Sequence, residues 1–201
     1  MSLVANTSKA ALGSVATVIG GYPFRGPVPK VPSGATRVVQ MKDLLASGEI
    51  DWAGTVRTEL PGKRAPDFLR AGDVLVLVRG ARNPAAFLKE VPAQVVSSLH
   101  FFLVRPRGGC NLLPEFLAWQ INQAPAQRYL EQNAEGTDQR SIRRAVLEAL
   151  PFVVPPLATQ ELSVKLANAA RREREALTAL IECRQRELQA VARRILEPVR
   201  P

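Results

Sequence analysis

Between Gln160 and Glu197 the chain contains neither glycine nor proline. The stretch is rich in Ala, Leu, Glu and Arg, all strong helix formers. Ahead of it, Pro155-Pro156 hold the entry extended, because proline fixes φ and pushes its predecessor out of the α region. Thr159 is placed to act as the N-cap, and Glu161 sets a negative charge in the first turn, where the helix dipole favours it. Glu197-Pro198 close the run. The expected helix is about 36 residues, roughly 54 Å long at the usual rise. That is longer than a small domain is wide.

The apolar residues of this stretch say what the helix is for. Leu177, Ile181, Leu188, Val191 and Ile195 follow alternating steps of four and three, with Arg184 interrupting the seam. Leu162, Leu166 and Ala170 make an earlier and weaker stripe. Glu161–Lys165 and Glu182–Arg186 are favourable pairs four apart on the wet face. A narrow heptad-like stripe on a long helix calls for another long helix, so the seam is read as a dimerisation surface. Arg184 would pair with Glu187 or Glu182 of the second copy, or mark the docking place of another subunit.

At 201 residues the chain is long enough for one domain with a proper core and an appendage. The formal net charge is +9, and the excess is spread along the chain: 18 basic against 12 acidic residues precede Pro151, and 9 against 6 follow it. A basic globular domain points to a polyanionic partner, nucleic acid above all. Cys110 and Cys183 lie far apart and His100 is the sole histidine, too few for a zinc site built from Cys and His alone. The first residues lack a basic segment followed by an apolar one, and no apolar run approaches membrane-spanning length. The chain is therefore expected to be cytoplasmic, with reduced thiols.

Along the chain, Ala10–Ile19 is read as a short strand or turn entering the domain. Gly20-Gly21-Tyr22-Pro23-Phe24-Arg25-Gly26-Pro27 and the residues to Gly34 form an irregular loop. It lacks the Gly-Lys-Ser/Thr ending of a phosphate loop. Thr36–Met41 reads as a strand, Ser47-Gly48 as a turn, and Pro61-Gly62-Lys63-Arg64 as an exposed loop. Asp73–Arg79 is the clearest strand, a continuous apolar run implying burial on both faces. Val95-Val96 and Leu99–Val104 form a further strand region that includes His100. Helices then begin at Pro114 and Pro125, and Ser141 is placed to cap a third. The fold class is a mixed α/β (α+β) domain followed by a long coiled-coil helix.

The order of these features resembles the specificity (S) subunit of type I restriction–modification systems. Pro151-Phe152-Val153-Val154-Pro155-Pro156-Leu157-Ala158-Thr159-Gln160 looks like the family's short apolar strand, Pro-Pro-Leu-x-x-Gln and long helix. Leu69-Arg70-Ala71-Gly72-Asp73-Val74-Leu75, with Arg79-Gly80 behind it, looks like the Gly-Asp-Ile/Val-Leu strand of its target recognition domain. Leu12-Gly13-Ser14-Val15 and Gly20-Gly21 fit the opening; Pro114-Glu115-Phe116-Leu117 and Gly136-Thr137 fit the later helix and loop. The resemblance implies a target recognition domain over residues 1–154 and a dimerising, spacing helix over 155–201. It implies a non-catalytic reader of double-stranded DNA, without a cofactor, that works with a DNA methyltransferase subunit and a restriction subunit. The usual subunit has two recognition domains and two such helices, whereas this chain has one of each, as a homodimer or a paired half-subunit would need.

An enzyme reading lacks its chemistry. Pro155-Pro156 follows Val154 and precedes Leu157, so the Asn/Asp-Pro-Pro-aromatic tetrapeptide of amino-methyltransferases is missing. No carboxylate–lysine nuclease motif follows Asp67 or Asp73, and His100 has no identifiable Ser or Cys partner. A coiled-coil scaffold or remnant subunit would use the helix alone, and the recognition part of another phage-defence methyltransferase is a further alternative. For a DNA reader, Arg and Lys neutralise phosphates and Arg pairs with guanine. The candidates are Arg25, Lys30, Lys63, Arg64, Arg79, Arg82, Arg105 and Arg107 on loops and strand ends, with Gln139, Arg140, Arg143 and Arg144 around a helix start. Asn83 and Gln139 carry amides suited to adenine.

Overall fold

The structure, a computed structural model, describes residues 8–61, 65–136 and 139–196. In chain order the elements are β1 (Ser8–Ala11), α1 (Leu12–Val15), β2 (Ala16–Gly20), β3 (Thr36–Val39), β4 (Val56–Thr58), β5 (Val74–Leu77), β6 (Ala85–Phe87), β7 (Val95–Ser97), β8 (Phe101–Pro106), α2 (Pro114–Ile121), α3 (Ala124–Gln132), α4 (Arg144–Glu148), β9 (Pro151–Val154) and α5 (Leu157–Leu196). The chain divides into two compact units, Met1–Leu162 and Ser163–Pro201.

The apolar run expected to be buried on both faces is β5, an inner strand of a four-stranded sheet in the order β2-β8-β5-β6. All three pairings are antiparallel. Side chains alternate across a strand. Leu75 joins a cluster with Val39, Val95, Phe101 and Leu103, while α2 packs against β5 and β6. That is why an antiparallel strand here lacks the usual polar alternation. A second sheet, β4-β3-β7, holds the parallel pair β3–β7. β1 pairs antiparallel with β9, so the start of the domain lies beside the strand that leads into the long helix.

Two glycines are required by position. Gly72 has φ +91 at the turn into β5, where Asp73 Oδ2 accepts the N–H of Arg70 at 2.8 Å. A Cβ on Gly21 would stand 2.0 Å from Ser98 O, so only glycine lets this segment lie against the end of β7.

Three local expectations change. The region from Val95 to Val104 is two strands broken by a turn at Leu99-His100, so His100 is a turn residue. Ser141 does not cap α4: its N–H and C=O bond Glu135 at 2.8 and 2.9 Å, and the helix opens at Arg144 behind Arg143, without a side-chain cap. The long helix begins at Leu157, which puts Thr159 inside the first turn and Glu161 beyond it. Pro156 serves as the opening residue, its carbonyl accepting the N–H groups of Thr159 and Gln160 at 2.9 and 3.1 Å. A helix start suits proline, whose missing N–H would have no intrahelical acceptor there.

Gln160 explains the last position of the Pro-Pro-Leu-x-x-Gln run. Its side chain is fully buried. Oε1 accepts the N–H of Leu113 at 2.8 Å, and Nε2 donates to Asn111 O and Pro155 O, both at 2.7 Å. Leu113 is the N-cap position of α2 and has no side-chain cap of its own. One amide therefore satisfies an orphan donor of α2 and ties it to the base of the long helix.

Candidate nucleic-acid interface

The strand register sorts the candidate residues into two groups. Gly20 faces Phe102 across β2–β8, and Leu77 faces Phe101 across β5–β8. One end of the four-stranded sheet therefore collects the segments after β2 and β5 and those before β8 and β6: Gly21–Arg25, Val78–Asn83 and Leu99-His100. At the other end Ala16 faces Pro106 and Val74 faces Val104. That end holds Asp73, Arg105 and Arg107.

At the first end Arg79, Arg82 and Arg25 are exposed and make no ion pair among the described residues. Arg79 is bridged through its main chain to Ser141, and Gly80 N–H donates to Arg140 O at 3.0 Å, so the segment 139–144 is fastened to the same end. Gln139 is exposed there. Arg140 donates to Glu131 O at 2.6 Å, Arg143 pairs with Glu135, and Arg144 pairs with Glu148 at 2.7 Å. Lys30, also exposed, neighbours Val31, whose N–H donates to Arg57 O, so it follows the second sheet at β4. Lys63 and Arg64 lie outside the described residues.

Asn83 differs from its expected part as an adenine reader. It is 4% exposed. Nδ2 donates to Leu77 O at 2.9 Å, and Gln127 brackets its main chain with bonds of 3.2 and 2.9 Å. Its amide shapes the loop between β5 and β6, and no polar edge is offered outward.

At the second end the cations have protein partners. Arg105 forms a two-pronged pair with Asp73, Nε to Oδ1 at 2.7 Å and Nη2 to Oδ2 at 2.8 Å, and also reaches Phe68 O at 3.2 Å. Asp73 is almost wholly buried, so this pair neutralises a carboxylate that also closes the turn into β5. The hydrogen bond that Arg105 donates to Asp73 raises the Arg105 pKa against the opposing pull of burial. Arg107 donates to Gly13 O at 3.0 Å and pins α1. Of these two expected DNA contacts, Arg105 is held by the domain's own carboxylate, and Arg107 is exposed and bonds one carbonyl.

A cleft of about 1000 Å³ opens at the first end, its lining including Tyr22, Phe24, Arg25, Asp67, Leu99 and Arg144. The Tyr22 and Phe24 rings pack on each other with centroids 4.9 Å apart. Beside it, Ser98 Oγ and His100 Nδ1 are buried with no hydrogen-bond partner. Burial, and then the nearby Arg79 charge, lower the His100 pKa from its usual 6.5, so the ring is held neutral. Reading only cations and amides passes over this turn; the one hint in the sequence is a leucine–histidine pair interrupting an apolar strand region.

In the second unit, Leu177, Ile181, Leu188, Val191 and Ile195 are 54–74% exposed, and Leu180, not part of the expected seam, is 54% exposed. Arg184 takes Glu187 of its own helix at 2.8 Å. Among the described residues no group of His, Cys, Asp or Glu is placed to hold a metal ion, and no helix is long and apolar enough to cross a membrane.

No protein-family model and no curated protein matches the chain. Solved structures do. The S subunit of a type I restriction–modification system from M. genitalium superposes with TM-score 0.58 at 15% identity, covering 92% of this chain and 45% of that one. The HsdS subunit from Thermoanaerobacter tengcongensis gives TM-score 0.64 at 18% identity, over 90% of this chain and 41% of that one. A chain from a structure of type I R-M complex assembly and conformational transition gives 0.57 at 20% identity, over 97% of this chain and 45% of that one. The chain has the fold of a type I S subunit, at half length. The likeness runs through both the mixed domain and the long helix, in agreement with the ordered motifs of the sequence. These neighbours are each more than twice as long as the part matched.

Proposed function

We propose that this chain is a DNA-reading specificity subunit of half length, which directs methyltransferase and restriction subunits to a target and carries no catalytic centre of its own. The likeness of fold to S subunits over at least nine tenths of the chain supports this reading most. The +9 charge and the unpaired arginines at one end of the sheet agree with it. DNA meets the sheet end that carries Arg25, Arg79 and Arg82, with Gln139 and Arg140 at its margin. Lys30 adds a cation beside the second sheet, and Lys63 and Arg64 stay candidates on sequence alone. Asn83 and Arg105 bond partners inside the domain, and Arg107 bonds Gly13 O from the exposed surface.

The exposed seam of α5 brings together two copies. Burying one such side chain is worth roughly 1.5–3 kcal/mol before entropy costs, and a second copy supplies a matching stripe. A two-fold antiparallel pair would hold two recognition domains apart and read a split, inverted-repeat target. Selection from randomised duplexes tests the reading. Enrichment of a bipartite inverted repeat is expected, with neither methylation nor cleavage by the chain alone; binding without sequence preference overturns it. Sedimentation tests the pairing: the wild type is expected to be dimeric and an Ile181→Asp/Leu188→Asp variant monomeric. A wild type that stays monomeric assigns the seam to another partner.

A further inference from the structure

The turn between β7 and β8 has a fixed backbone and unsatisfied side chains. Ser98 N–H donates to Val39 O (2.9 Å), Phe101 N–H to Ser98 O (3.1 Å), Val78 N–H to His100 O (2.8 Å) and Tyr22 N–H to Ser97 O (2.7 Å). The tip is thus pinned from β3, β5 and the segment after β2. At its apex Leu99 is 51% exposed, more than any other large apolar residue of the first unit among the described residues. Behind it Ser98 Oγ and His100 Nδ1 lack partners, a condition that native interiors mostly avoid. Arg79 acts electrostatically on His100, and Arg25, Arg144 and Asp67 share the cleft lining with Leu99.

Phosphate contacts position a protein on DNA, and base contacts specify the sequence. On the DNA reading of this sheet end, exposed arginines suit the first kind. We propose that Leu99 and His100 supply the second, Leu99 by apolar contact with a thymine methyl group and His100 by hydrogen bonds from its ring to a base edge. A neutral imidazole offers one donor and one acceptor. A thymine methyl is the feature of the major groove that an exposed leucine can recognise. The inference rests on the reading of this sheet end as the DNA surface.

The test uses the full chain, a randomised duplex library, and the variants Leu99→Ala, His100→Gln and Arg79→Ala, each checked for folding by thermal melting. Arg79→Ala is expected to weaken all sequences alike and to lower the salt slope by about one. Leu99→Ala and His100→Gln are expected to keep the slope and to lose preference, about tenfold, at one or two adjacent positions of the target. Leu99 is exposed, so its variant keeps the inference testable if His100→Gln does not fold. Folded variants that select the wild-type sequence overturn the inference and leave the DNA reading standing. A wild type that selects no sequence overturns both.

Discussion

The two ends of the four-stranded sheet begin from similar sequence and finish with opposite chemistry. Each has two arginines at a strand end, close to glycine and proline: Arg79 and Arg82 at one, Arg105 and Arg107 at the other. The difference lies in what the neighbouring strand brings. Antiparallel pairing sets Val74 against Val104, and so places Asp73 beside Arg105 across 32 residues of sequence. No carboxylate stands in that relation to Arg79 or Arg82 among the described residues. An arginine at a strand end becomes available to a ligand when its hydrogen-bonding capacity is left over by the fold. Residue type and loop position alone do not decide it.

The largest effect is expected at the second end. Asp73→Ala leaves Arg105 without its partner and opens the turn into β5. It should lower stability by about 3 kcal/mol, the lower part of the range for breaking a buried pair, because Arg105 is partly exposed. Denaturant unfolding checks this. A variant as stable as the wild type would free Arg105 from its structural part and return it to the DNA candidates.

Gln160→Ala comes next, at about 2 kcal/mol, for the buried N–H and carbonyl groups it leaves unpaired. Gln160→Glu sharpens the point. It keeps an acceptor for Leu113 N–H but turns a carboxylate toward Asn111 O and Pro155 O, so it should rescue nothing. Full rescue would mean that the two donated bonds contribute little.

The smallest effect belongs to the first end. The folded state lowers the His100 pKa, so below 6.5 the unfolded chain binds the proton more readily. The stability contribution of the neutral ring is complete above 6.5 and is lost as pH falls through 6.5 toward the lowered value. His100→Gln should remove that part of the acid sensitivity when melting is followed across this window. An unchanged pH profile would mean that the ring does not report its surroundings.

Much of the fold can be read from local chemistry. Val74–Leu77 announces itself by an unbroken apolar run, α2 and α3 by prolines in their first turns, and α5 by forty residues of helix formers. The motif Gly72-Asp73 and the terminal Gln160 are also visible as a pattern. Their meaning is not, because each side chain acts on partners distant in sequence: Arg105 for Asp73, Asn111 and Leu113 for Gln160. Ser141 reads as a cap by type, yet its main chain is already bonded to Glu135. Asn83 reads as a surface amide between arginine and proline, yet the loop folds it inward onto Leu77. The parallel pairing of β3 with β7 joins strands too far apart for any local signal to show.

The contrast between the sheet ends is tested most directly by the salt dependence of duplex affinity, measured side by side for the wild type, Arg79→Ala/Arg82→Ala and Arg107→Ala. If both arginines of the first end meet phosphates, the slope of log affinity against log salt falls by about two in the double variant. Arg107→Ala keeps the wild-type slope. Equal losses at the two ends, or an unchanged slope in the folded double variant, would contradict the assignment of the DNA surface to the end that carries Arg79 and Arg82.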